Sequence, residues 1–95
     1  MEFLNELGFN QEEIKEIQNR LPKLIQEKVE KYSDTVSENI VFLKDFGVTN
    51  WKEVVTNYIE MLLMGIVNFQ KIFLKYDKED LIEKIAKNVA VIEFL

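Results

Sequence analysis

The chain has 95 residues, of which 47% are hydrophobic, 12% aromatic and 31% charged, which predicts one small globular domain and excludes a fibrous protein or a disordered tail. It contains no cysteine and no histidine, which excludes thiolate and imidazole nucleophiles and the commonest general base near neutral pH. Seventeen acidic and twelve basic residues give a net charge of −5, the wrong sign for a protein whose whole surface attracts phosphate.

Neither an export signal nor a membrane span is predicted. Glu2 and Glu6 stand where a secretory signal would carry positive charge, and no long apolar stretch follows them. The longest apolar run, which includes one glycine, is Met61 to Val67 and is far shorter than the roughly 20 residues that span a membrane. We therefore expect a cytoplasmic protein that makes no membrane contact.

Apolar side chains recur at helical spacing along the chain, which predicts an all-α protein. A helix is expected to begin after Asn10, because Asn10 and Glu13 have the spacing of a capping box. Phe9 and Ile14 are placed as a hydrophobic staple across that helix start. A turn follows near residue 21, since Pro22 suits the first turn of a second helix.

The next helix is expected to start from Ser33 or Asp34 as its N-cap. Its buried face consists of apolar residues at spacings of four and three, namely Val36, Ile40, Leu43 and Phe46. Gly47 follows, and it is a candidate for the left-handed residue that ends a helix.

Two further capping patterns divide the second half. Asn50 with Glu53 predicts a helix that continues to a break at Gly65. Asp77 with Asp80 precedes a last helix, whose apolar face is expected to contain Leu81, Ile82, Ile85, Val89 and Ile92. We therefore expect about six short helices in antiparallel pairs after a short N-terminal turn, all within one domain of residues 1–95.

The chain also contains an internal repeat. Phe3 to Phe9 is matched by Phe42 to Val48 at an offset of 39 residues, and the first capping pattern is matched by the Asn50 pattern at an offset of 40. A fixed period is typical of helical solenoids, in which each unit buries its apolar face against its neighbours. We expect a two-unit, α-solenoid-like fold, with unit one at residues 3–41 and unit two at residues 42–95.

Three segments of the first half carry a family resemblance: Leu7-Gly8-Phe9, Leu21-Pro22-Lys23-Leu24-Ile25 and Phe42-Leu43-Lys44-Asp45-Phe46-Gly47-Val48. Their order resembles the helical repeats of the mitochondrial transcription termination factors. The resemblance covers about half the chain; the second half has no equivalent proline and is about a dozen residues longer. It implies repeats that stack into a superhelix and bind nucleic acid along a basic surface.

Lysines supply the best candidates for phosphate binding. Lys71, Lys75 and Lys78 stand at i, i+4 and i+7 and would share one face of a continuous helix. A solvated helix face is the more ordinary interpretation of such a pattern. Arg20 is the only arginine, so bidentate recognition of phosphate or guanine is nearly absent.

No catalytic, cofactor or metal site is predicted. The acidic clusters lie at helix starts, where carboxylates cap free N–H groups and complement the helix dipole. The three glycines are too widely spaced for a phosphate-binding loop. A small enzyme that uses carboxylates or tyrosines stays a distant alternative, with Tyr32, Tyr58 and Tyr76 as its candidates.

Apolar side chains supply the candidates for partner binding. Trp51 lies in the first turn of a helix, where it either faces a partner or packs on the neighbouring repeat. The apolar run at 61–67 would surround a helix on all sides, which predicts either complete burial or a surface covered by another chain. The candidate residues are Trp51, Met61, Met64, Phe94 and Leu95.

The sequence therefore favours a non-catalytic intracellular module that binds another macromolecule. A protein partner or self-association is favoured, because the acidic balance and the single arginine disfavour nucleic acid. The alternative is a nucleic-acid-binding regulator, as the family resemblance implies.

Overall fold

The computed structural model describes residues 1–95 and contains helices but no β-strand. Seven α-helices follow one another along the chain: α1 (Phe3–Glu6), α2 (Gln11–Arg20), α3 (Lys23–Lys31), α4 (Ser33–Phe46), α5 (Trp51–Tyr58), α6 (Ile66–Leu74) and α7 (Lys78–Lys87). Two 3-10 helices complete the fold, the first at Ile59–Leu63 and the second at Val89–Phe94. The all-α prediction is confirmed, and the two 3-10 helices replace the ends of two predicted α-helices.

The predicted start of α2 is confirmed in full. The Asn10 side chain accepts a hydrogen bond from the backbone N–H of Glu13, and the Glu13 carboxylate accepts one from the backbone N–H of Asn10, both at 2.9 Å. Phe9 and Ile14, the staple residues, are both buried. Local sequence alone therefore determines where this helix begins.

Helices α1 and α4 end in the same turn, 39 residues apart. Gly8 and Gly47 both adopt positive φ, at 113° and 103°. After each glycine the next backbone N–H returns to the helix: Phe9 donates to the carbonyl of Leu4, and Val48 donates to that of Leu43, both at 3.1 Å. The predicted left-handed residue at Gly47 is confirmed, and Gly8 repeats it at the matching position of the first half.

Helices α2 and α5, which are matched by the sequence repeat, pack side by side in the same direction. Near their N-termini Lys52 Nζ lies 3.3 Å from the Glu13 carboxylate. Near their C-termini Arg20 Nε donates to the carbonyl of Thr56 at 2.8 Å, and Arg20 Nη2 lies 3.1 Å from Glu60 Oε1. The N-termini of α2 and α5 are therefore adjacent, as are their C-termini, so the two helices are parallel.

The extra residues of the second half form the first 3-10 helix, which packs on α3, α4 and α5. Asn39 of α4 holds it in place: its side-chain amide donates to the carbonyls of Leu62 at 2.9 Å and Met64 at 2.7 Å. Asn39 is the one polar side chain among the fully buried residues. A buried hydrogen-bond donor thus determines where the chain turns before α6.

Two predicted helix starts in the first half are wrong by one or two residues. Pro22 is the N-cap of α3 and not part of its first turn, because its extended ψ of 151° places it before the helix. Ser33 is the first residue of α4, and Tyr32 alone joins α3 to α4 without a side-chain cap. The Tyr32 carbonyl accepts from the backbone N–H of Val36, so α4 starts one residue earlier than a Ser33 cap would allow.

Three predictions for the second half are wrong, and the first fails because of a tertiary hydrogen bond. The Asn50 side chain makes no capping bond and instead donates to the carbonyl of Ile85 in α7 at 3.0 Å. The helix expected to reach Gly65 becomes a 3-10 helix at Ile59. The last helix ends at Lys87, since Asn88 is extended and caps the second 3-10 helix. The Asp77 cap is confirmed, with its carboxylate accepting from the N–H of Asp80 at 3.0 Å.

Four phenylalanine rings join α4 to α6. Phe42 and Phe46 of α4 lie against Phe69 and Phe73 of α6, and three pairs of rings meet edge to face across the two helices, with centroids 5.5 to 6.0 Å apart. Phe46, Phe69 and Phe73 belong to a core of 21 buried apolar residues that runs from Met1 to Ile92, and the half-buried Phe42 packs against that core. The cluster fixes how α4 and α6 lie beside each other, and this positions the surface described next.

Candidate interaction surface

An open groove runs between α4 and α6 on the outside of the phenylalanine cluster. Val41 and Phe42 of α4 and Ile66 of α6 form its apolar floor, and its volume is about 370 Å³. Val41 is 44% exposed, since it lies outside the buried face of α4. The groove therefore presents apolar area to solvent directly outside the packed aromatic rings.

The α4 side of this groove is acidic. Glu38 and Asp45 line it, and Asp34 precedes Glu38 by one turn on the same side of α4. All three are exposed, and none of the three forms an ion pair within the chain. We call Asp34, Glu38 and Asp45 the acidic edge.

On the α6 side, Ile66 and the polar Gln70 line the groove, and exposed apolar and then basic residues follow them around the helix. Val67 and Leu74 are 62% and 67% exposed and follow Ile66 around the helix, away from α4. Lys71 and Lys75 lie beyond them, are exposed, and form no ion pair. We call Lys71 and Lys75 the basic edge, and the whole surface from the acidic edge to the basic edge the α4–α6 face.

The third predicted phosphate ligand does not continue that edge along one helix. Helix α6 ends at Leu74, so Lys78 is the first residue of α7 and not a later turn of α6. Its ammonium lies 5.4 Å from the ring centroid of Phe46. The prediction of one helical face for Lys71, Lys75 and Lys78 is therefore wrong, since a chain reversal separates the third lysine from the first two.

Trp51 packs on the first half of the chain. Its ring meets that of Phe9 edge to face at 5.6 Å, and Lys44 Nζ lies 4.6 Å from its ring centroid. The indole also lies 3.6 Å from the position that a Cβ on Gly8 would take. Of the two alternatives for Trp51, packing on the neighbouring repeat is the one that this geometry favours.

Met61 and Met64 are half-buried against the core, in and just after the first 3-10 helix. The run at 61–67 does not form one helix, so no helix is apolar on all sides there. Only Val67 of that run is a strongly exposed large apolar side chain. The exposed apolar surface that the sequence predicted at residues 61–67 therefore lies a few residues later, on the outer side of α6.

Phe94 and Leu95 form a separate apolar patch. Phe94 is 82% exposed, whereas Leu95 is half-buried. Together with Tyr76, Leu81 and Val91 they line a pocket of about 190 Å³ beside α7. None of Trp51, Met61 and Met64 lines this pocket, so the five predicted partner-binding residues are not brought together.

Neither a membrane-spanning helix nor a metal-binding cluster is present in the structure. No helix has both the length and the apolar character needed to cross a bilayer. No group of three or more acidic side chains is gathered closely enough to hold a metal ion. Comparisons with protein-family models, curated proteins and solved structures found no match for this chain.

Sequence reasoning missed most of the α4–α6 face. The acidic edge has a readable signal, because Asp34, Glu38, Val41 and Asp45 recur at the i, i+4, i+7, i+11 spacing of one helix side. Its meaning depends on α6 lying alongside, and that contact is set by the phenylalanine cluster. The sequence does identify Lys71 and Lys75, but only as candidate phosphate ligands and not as the basic edge opposite the acidic edge.

Proposed function

We propose that this chain is a non-catalytic helical module that binds another protein through the α4–α6 face. The observation that carries the proposal is the group of exposed apolar side chains, Val41, Val67 and Leu74, beside a groove whose floor includes the half-buried ring of Phe42. Contiguous apolar surface rimmed by charge is typical of protein interaction sites.

The proposed architecture is a two-unit repeat in which equivalent elements stack. Two observations support it: the matching turns at Gly8 and Gly47, and the parallel packing of α2 on α5. Equivalent helices that lie parallel and adjacent are expected of stacked repeats. The first 3-10 helix accounts for the extra length of the second unit, and the resemblance to transcription termination factor repeats extends no further than this.

Binding through the α4–α6 face is tested by site-specific photo-cross-linking in the native cell. A photoreactive residue at position 41 or 67 should cross-link to protein, whereas the same residue at Asn19, which is exposed on α2, should not. Equal labelling at all three positions, or no protein adduct from 41 and 67, would contradict the proposal.

Nucleic-acid binding is the second candidate function, and it is supported by the two lysines of the basic edge. Lys71 and Lys75 lack carboxylate partners and are therefore free to meet phosphate. Because phosphate contacts weaken steeply with salt, retention on mixed DNA and RNA at low salt that is lost at high salt and in Lys71→Glu would favour it. No retention at low salt would remove it.

An enzyme that uses a tyrosine gains no support at Tyr58. Partial burial raises the pKa of the Tyr58 hydroxyl, and the neighbouring Glu93 carboxylate raises it further. Both effects stabilise the neutral phenol against the phenolate that would act as a base or nucleophile.

A further inference from the structure

The α4–α6 face has a polarity that bears on what it binds. Crossing it from α4 to α6, the surface changes from the acidic edge, through the apolar floor at Val41 and Ile66 and the exposed Val67 and Leu74, to the basic edge. Two opposite charge edges on either side of an apolar centre are complementary to themselves after a two-fold rotation. When the two-fold axis lies in the plane of the face and runs between its two edges, each acidic edge is placed over the basic edge of another copy.

Resting on the proposed protein-binding function, we infer that the partner at the α4–α6 face is a second copy of this chain, docked in an isologous two-fold dimer. Helix α6 of one protomer lies over α4 of the other, so that Lys71 and Lys75 meet the carboxylates of Glu38 and Asp45. The apolar side chains Val41, Val67 and Leu74 form the centre of the interface.

The distribution of charge favours this occupant. The carboxylates of the acidic edge and the ammonium groups of the basic edge are unpaired within the chain, as are other exposed charges such as Glu16 and Lys23. What distinguishes this face is that its unpaired charges are of opposite sign on its two edges. The face thus retains the charges that a second copy would neutralise. A partner of one sign, such as a purely basic peptide, would match the acidic edge and be repelled by the basic one.

Charge exchange tests the inference with the whole chain. Wild-type protein should show a concentration-dependent monomer–dimer equilibrium in sedimentation velocity. The acid swap, Glu38→Lys with Asp45→Lys, and the base swap, Lys71→Glu with Lys75→Glu, should each weaken dimerisation by at least about tenfold, because like charges then face each other.

Mixing the two swapped proteins gives the sharper result. The acid-swap protein then carries two basic edges and the base-swap protein two acidic edges, so an equimolar mixture should form a heterodimer that neither makes alone. Recovery in the mixture also shows that neither variant failed merely by misfolding. The matched control Glu16→Lys with Glu27→Lys, which makes the same charge change on exposed residues of α2 and α3, should dimerise like the wild type.

Some results would overturn the inference. A wild-type chain that stays monomeric at all accessible concentrations contradicts it, as does a mixture of swapped proteins that does not associate. If the chain is monomeric and position 41 still cross-links to a different protein in the cell, the dimer is wrong while the proposed function stands. If position 41 cross-links to nothing, both are wrong.

Discussion

Removing the side-chain amide of Asn39 tests how the second half of the fold is held. In Asn39→Ala the carbonyl of Leu62 loses its donor inside the protein, which costs about 1–3 kcal/mol for a buried unsatisfied group. The carbonyl of Met64 is partly exposed, so water replaces its bond at little cost. The substitution also removes the Asn39 Oδ1 atom, which is buried without a partner, and this offsets part of the loss.

The net destabilisation should be about 2 kcal/mol, which lowers the Tm of a domain of this size by roughly 10 °C. Urea unfolding followed by circular dichroism measures the free energy, and a thermal scan measures the Tm. Asn57→Ala is the matched control, because Asn57 also donates to a helix carbonyl, that of Glu53 at 2.9 Å, but is exposed. Its loss should be within about 0.5 kcal/mol of zero.

Asn39→Asp separates hydrogen bonding from packing. The shape is preserved, but a carboxylate replaces the donor and faces two carbonyl oxygens, so it should destabilise more than Asn39→Ala at neutral pH. If Asn39→Ala and Asn57→Ala cost the same within about 0.5 kcal/mol, the buried amide does not hold the 3-10 helix and the reasoning is refuted.

Two further predictions concern the helix ends. Gly47→Ala should lower the free energy of unfolding by about 1–2 kcal/mol in urea, because Ala disfavours positive φ and because its Cβ would lie 3.2 Å from Ile82. Gly65→Ala is the control: Gly65 has negative φ and open space around it, so the change should be less than ~0.5 kcal/mol. Equal losses in the two variants would contradict the left-handed role of Gly47. The hydrogen bond from the Asn10 N–H lowers the pKa of Glu13 below its ordinary 4.5, so its contribution is complete above that pH and is lost as the pH falls through the lower folded-state pKa. Glu13→Gln should therefore flatten the decline of stability in that acid range, and an unchanged slope would show that this carboxylate is not coupled to folding.

The comparison of sequence with structure separates local signals from tertiary ones. The Asn10–Glu13 box and the turn at Gly47 were predicted from the sequence because their partners lie within a few residues. At Asn50 the same kind of signal failed, because the side-chain amide donates to the carbonyl of Ile85 and the Oδ1 atom that would accept the capping bond is buried without a partner. The side chain of a residue at a helix start can thus cap its own helix or bond to a second helix, and sequence spacing does not determine which of the two occurs.

The irregular segments have the same explanation. Nothing within residues 59–63 separates a 3-10 helix from a continuation of α5, because the deciding bonds come from Asn39, more than 20 residues earlier. For a related reason, the sequence predicted the two lysines of the basic edge but not the α4–α6 face to which they belong. Helical spacing places Lys71 and Lys75 on one side of α6, but only the packing of α6 on α4 places them opposite an acidic edge.

We propose that the α4–α6 face joins two copies of this chain, and backbone amide chemical shifts measured over a dilution series locate the contact residue by residue. Concentration-dependent shifts should be confined to α4 and α6, centred on Val41 and Val67, with the amides of α2 and α3 unchanged. Shifts that are absent at every concentration, or that centre on the Phe94 patch instead, would contradict the claim.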